Sequence, residues 1–72
     1  MTLTVTIGRS ITVAREAASM SKGELARMMG VDRRAVTRWE AGQHRPTDTN
    51  LAAMAELFGR DVGWFFSDHG NA

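Results

Sequence analysis

The chain of 72 residues has no cysteine, a single proline and no apolar run longer than five residues. Without cysteine there is neither a disulfide framework nor a thiolate zinc site, and nothing marks an oxidising compartment. The two histidines, His44 and His69, are too few to close a zinc site, and no spaced carboxylate cluster completes one. Short apolar runs exclude a membrane-spanning helix, which takes about 20 apolar residues, and no secretory leader opens the chain. Also missing are a nucleophile–base pair, a carboxylate pair placed for acid–base chemistry and a glycine loop that could cradle phosphate, so an enzyme is not expected. A chain this short buries only about 60–65% of the surface its unfolded form exposes, so it has room for one well-packed domain. With 43% apolar and 24% charged residues the composition is that of a globular protein rather than a disordered one. The expectation is a soluble, cytoplasmic domain without metal or cofactor.

What is present is a charge asymmetry hidden in a net charge of +1. Residues 22–45 carry Lys22, Arg27, Arg33, Arg34, Arg38 and Arg45 against Glu24, Asp32 and Glu40, whereas residues 46–72 carry Arg60 against Asp48, Glu56, Asp61 and Asp68. The middle is therefore net +3 and the C-terminal third net −3. Eight of the nine basic residues are arginine, whose planar fork matches phosphates and guanine edges better than the point charge of lysine. Such a block has the form of a nucleic-acid footprint.

Apolar spacing reads as five short helices behind an extended lead-in. Residues 1–7 alternate threonine with Leu3, Val5 and Ile7, a pattern of period two that predicts a strand. Ile7, Ile11, Ala14 and Ala18 then recur at helical spacing, predicting a helix from about Gly8 to Ala18. Ser21 and Glu24 form a capping box opening a second helix that stops at Gly30. Asp32 caps a third helix over Arg33 to about Ala41, closed by Gly42. Thr47 caps a fourth, with Leu51, Met54, Ala55 and Phe58 on its apolar face, and Asp61 caps a last short helix over Val62–Phe66. Met28, Met29 and Met54 are expected to fill core space. The division is a lead-in over residues 1–7, a domain over 8–66 and a polar tail over 67–72.

The second and third helices carry the signal. Two helices that cross steeply through a short turn need a small residue where they touch, a permissive backbone at the corner and apolar residues on the inner face of the second helix. Ala26, Gly30, and the pair Val36 and Trp39 meet these needs at the required spacing. Leu25-Ala26-Arg27-Met28-Met29-Gly30-Val31, then Trp39-Glu40-Ala41-Gly42, then Arg45-Pro46, resembles the helix-turn-helix domain of lambda-type repressors and Cro proteins, the XRE family. The likeness runs from about Ile7 to Phe66. It implies an all-α, compact five-helix lambda-repressor-like DNA-binding domain with the helix-turn-helix inside it. One departure is Lys22, where the family commonly has glutamine; it favours a phosphate contact over a base contact.

The resemblance also implies roles. Arg33, Arg34, Thr37 and Arg38 fall where relatives touch bases, and bidentate arginine suggests a guanine-containing half-site. The sequence alone does not divide the three arginines between bases and phosphates. The loop Gly42-Gln43-His44-Arg45 falls where relatives touch phosphates through backbone N–H groups and side chains, with His44 either such a contact or a neutral loop residue. The N-terminus of the second helix at Ser21 and Lys22 is another anion-attracting end. Arg15 and Glu40 are expected to form a partly buried ion pair, with Trp39 in the core. A module this small is expected to act as a homodimer, at least on DNA, on a palindromic operator. Its pairing surface is either the aromatic cluster Trp64, Phe65 and Phe66 or an exchanged strand over Thr2–Ile7. The expected function is transcriptional regulation, chiefly repression in the manner of Cro and phage proteins. The chain's end soon after the fifth helix suits a small Cro-like regulator or a DNA-binding domain cut from a longer one. The alternatives are an antitoxin-type regulator that also masks a partner protein, or an adaptor that has lost DNA binding, which Arg33, Arg34 and Arg38 argue against.

Overall fold

The computed structural model describes residues 2–68. Four α-helices, α1 (Leu3–Ala17), α2 (Lys22–Met29), α3 (Arg33–Glu40) and α4 (Asp48–Phe58), are followed by a short 3-10 helix over Val62–Phe66, with no strand among the described residues. The fold is all-α as expected, but the fifth element is a 3-10 turn and the extended lead-in is absent. Thr2 instead caps α1 by accepting the Val5 N–H at 3.3 Å, so the helix starts five residues before Gly8. The alternation misled because Leu3 and Ile7 are also four apart. They satisfy a helical stripe as well as a strand, and Ile7, Ser10, Ile11 and Ala14 continue that stripe into the core. Strand exchange by Thr2–Ile7 is thereby overturned, since these backbone groups serve the helix. The tail falls partly outside the described residues, as does His69.

The other boundaries follow local chemistry. The Ser21 hydroxyl accepts the Glu24 N–H at 3.0 Å while the Ser21 N–H donates to Glu24 Oε1 at 2.8 Å, closing the capping box. Gly30 ends α2 in the left-handed region, φ 69°, a conformation that costs other residues about 1–2 kcal/mol. It lets the Val31 N–H return to the Ala26 carbonyl at 2.9 Å, which fixes the corner. Asp32 accepts the Arg34 N–H at 2.8 Å, and Thr47 accepts the Asn50 N–H at 3.2 Å. Asp61 makes no side-chain cap, and the last element is held by backbone bonds such as Trp64 N–H to the Asp61 carbonyl.

The core gathers Ile7, Ile11 and Ala14 of α1, Leu25 and Ala26 of α2, Val36 and Trp39 of α3, Leu51, Met54 and Ala55 of α4, and Phe65. Met54 lies within it and Met29 packs at its edge, but Met28 is exposed. One position apart on a helix, Met28 and Met29 point about 100° from each other, so only one can follow Leu25 and Ala26 inward. Across the middle, α1 meets α3 through main chain. A Cβ on Gly8 would run into the Trp39 carbonyl oxygen and stand 3.0 Å from that of Glu40. Glycine is what allows this approach.

Candidate nucleic-acid interface

Helix α3 divides lengthwise. Val36 and Trp39 are buried, while Arg33, Arg34, Thr37 and Arg38 are exposed on the opposite side. Ala26 is buried where α2 crosses. Behind α3, Arg15 and Glu40 form the expected pair, with Arg15 Nε 2.7 Å from Glu40 Oε2 and Nη2 3.1 Å from Oε1. This is a two-point contact with side chains only 11% and 6% exposed. Thr12, which the sequence reading missed, donates to Glu40 Oε1 at 2.9 Å. Arg15 Nη1 donates to the Met20 carbonyl at 2.8 Å. The hydrogen bonds from Arg15 to Glu40 keep the guanidinium even more firmly protonated than usual. Thr12 lies three residues before Arg15 on the same helix face, and that spacing was the available signal.

On the outer face, Arg34 is largely in solvent. Its guanidinium leans back to Asp32, 3.4 Å away. The bond from the Arg34 backbone N–H, with help from that guanidinium, holds the Asp32 carboxyl below its usual range. Among the described residues, Arg33 and Arg38 make no ion pair. Three arginines and one threonine thus stand on one exposed strip over two helical turns.

The expected phosphate anchors are arranged less simply. At the start of α2, the Ser21 N–H and the Glu24 N–H are both engaged in the capping box. The N–H of Ser21 holds Glu24 below the usual carboxylate range. The Ser21 hydroxyl and the half-buried Lys22 are the side-chain groups that end can offer an anion. In the loop after α3, the N–H groups of Gln43 and His44 both return to the Arg38 carbonyl, at 3.0 and 3.4 Å, and that of Gly42 to Trp39. These groups close the helix, which leaves the loop's side chains rather than its backbone N–H groups at 42–44 open to an anion. Gln43, His44 and Arg45 are all exposed. Arg45 is held 3.3 Å from Asp48 and 5.7 Å above the Phe66 ring. Beside it, a cleft of about 140 Å³ opens between α3 and the start of α4, bordered by Arg38, Trp39, His44, Arg45, Thr47 and Asn50.

The three C-terminal aromatics separate. Phe65 is wholly buried, Trp64 meets it edge to face with Arg60 stacked 4.0 Å over its ring, and Phe66 is 37% exposed. Of the aromatic surface expected for pairing, Phe66 with neighbouring Val62 is what remains open. Among the described residues, no group of three or more potential ligands could hold a metal ion, and no helix is long and apolar enough to cross a membrane.

A short helix-turn-helix that buries one face of its second helix and lines the other with arginine defines a DNA-binding domain. Residues 11–65 match the helix-turn-helix family of XRE type, and the chain belongs to it. That membership makes it a DNA-binding transcription regulator. The structure is similar to the restriction-modification controller protein C.AhdI from Aeromonas hydrophila, with TM-score 0.78, 26% identity, and coverage of 86% of this chain and 94% of that one. It is similar also to part of apo-HppE, with TM-score 0.80 and 26% identity over 89% of this chain and 36% of that one. No curated protein sequence matches.

Proposed function

We propose that the protein is a sequence-specific regulator that binds a palindromic, guanine-containing operator as a homodimer. It represses transcription by occupying promoter DNA, as Cro and phage repressors do. The observation that carries this reading is the division of α3, with Val36 and Trp39 buried and Arg33, Arg34, Thr37 and Arg38 exposed. The N-terminal part of such a helix enters the major groove, where arginine can bond guanine O6 and N7 and the threonine methyl can meet thymine. Likeness to a restriction-modification controller supports a regulatory role. One module touches few bases, so selectivity calls for a pair. A protomer measuring 28 × 24 × 21 Å suits two copies holding their α3 helices one DNA turn, about 34 Å, apart. Val62 and Phe66 are the candidate pairing surface. With Phe65 in the core and Trp64 under Arg60, Phe66 is the member of the aromatic cluster left exposed for a masked partner of the antitoxin kind.

Selection from a randomised duplex pool tests the proposal. The wild type should enrich a palindromic site containing guanine. Arg34→Ala should relax preference at one symmetric position, by about 1–3 kcal/mol of discrimination. Binding without any preference, abolished by moderate salt, would remove the operator reading.

A further inference from the structure

The three arginines of α3 do not stand in the same surroundings. Arg38 is in the last turn of an eight-residue helix, about 7.5 Å along the axis from Arg33 at the groove-entering end. It lies about 100° round the helix from Thr37, toward half-buried Ala35, and borders the cleft of about 140 Å³ against the start of α4. Around that cleft stand Arg38, His44, Arg45, Thr47 and Asn50, with Trp39 behind them. Each polar side chain there can donate a hydrogen bond, and no carboxylate lines the cleft; Asp48 is adjacent, engaged with Arg45. The space holds the equivalent of roughly four or five waters, enough for one phosphate group.

We infer that Arg38 grips a DNA backbone phosphate in this cleft, together with His44, Arg45 and Asn50, and that base reading falls to Arg33, Arg34 and Thr37. The assignment rests on the DNA-binding reading above and divides its residues. Arg38 and Asn50 thereby become positioning contacts that set how deeply α3 enters the groove, and they carry no sequence information themselves.

The test uses the full chain and the duplex selected above, with a neutral methylphosphonate replacing one backbone phosphate at a time. One position in each half-site should weaken wild-type binding roughly tenfold and weaken Arg38→Ala by only about threefold, since one of the charges that meet that phosphate is already gone while Arg45 remains. Arg38→Ala should also weaken every site variant about equally and lower the salt slope by about 0.9 per protomer. Relaxed preference at one base pair, with salt slope and methylphosphonate sensitivity unchanged, would make Arg38 a base reader and overturn the assignment. A wild type with no preferred site defeats the operator reading instead, and the assignment falls with it. Arg38 is exposed, and a melting curve for Arg38→Ala separates lost binding from lost folding.

Discussion

The two sides of α3 are built on opposite principles. Inside, Val36 and Trp39 are packed, Glu40 is held by Arg15 and Thr12, and no buried side-chain polar atom among the described residues lacks a partner. Outside, the arginines stand in solvent, tethered among the described residues where Arg34 meets Asp32. Surface ion pairs of that kind contribute about 0–1 kcal/mol at most. The inner side therefore fixes where the helix lies, and the outer side is left free for a ligand.

Single changes should expose this contrast. Glu40→Ala leaves the Arg15 guanidinium nearly buried beside an empty place, and should lower unfolding free energy by about 3–5 kcal/mol in a denaturant titration. Arg34→Ala on the other side should stay within about 0.5 kcal/mol in the same titration. A loss as large on the outside as on the inside would break the distinction. Gly8→Ala comes next. Alanine normally favours a helix interior by about 0.5–1 kcal/mol, but here its methyl meets the backbone of Trp39 and Glu40, so net destabilisation of about 1–3 kcal/mol is expected by thermal melting. A stabilised variant would show that α1 and α3 can slide apart without cost.

The smallest effect belongs to the helix caps. Glu24 and Asp32 are held below their usual range by backbone N–H bonds. Their folded values lie beneath the unfolded ones, so the stability they contribute is full above about pH 5 and fades as pH falls through the folded values. Melting temperature should decline on that descent. In the Glu24→Gln, Asp32→Asn double variant the decline should be shallower; an unchanged slope would assign acid sensitivity elsewhere.

What could be read in advance was what depends on near neighbours. The capping box at Ser21 and Glu24, the left-handed Gly30 and the Asp32 cap are settled within a few residues, and the spacing of Ala26, Val36 and Trp39 defined the crossing. The Arg15–Glu40 pair came from resemblance, whereas Thr12 came only from the structure. The start of the N-terminal helix, over residues 3–7, was misread because the first seven residues fit two periods equally well. The contact of Gly8 with Trp39 joins residues thirty-one apart through main chain, which no side-chain pattern reports. The cleft joining Arg38 to Asn50 needed the loop's path as well as the helix.

That main-chain contact at Gly8 bears on how such a protein can change. The angle between α1 and α3 is set where atoms common to every amino acid meet, so it does not depend on which side chains α3 turns to solvent. Residues 33, 34 and 37 can therefore be exchanged on an unaltered frame, whereas position 8 has room for glycine alone.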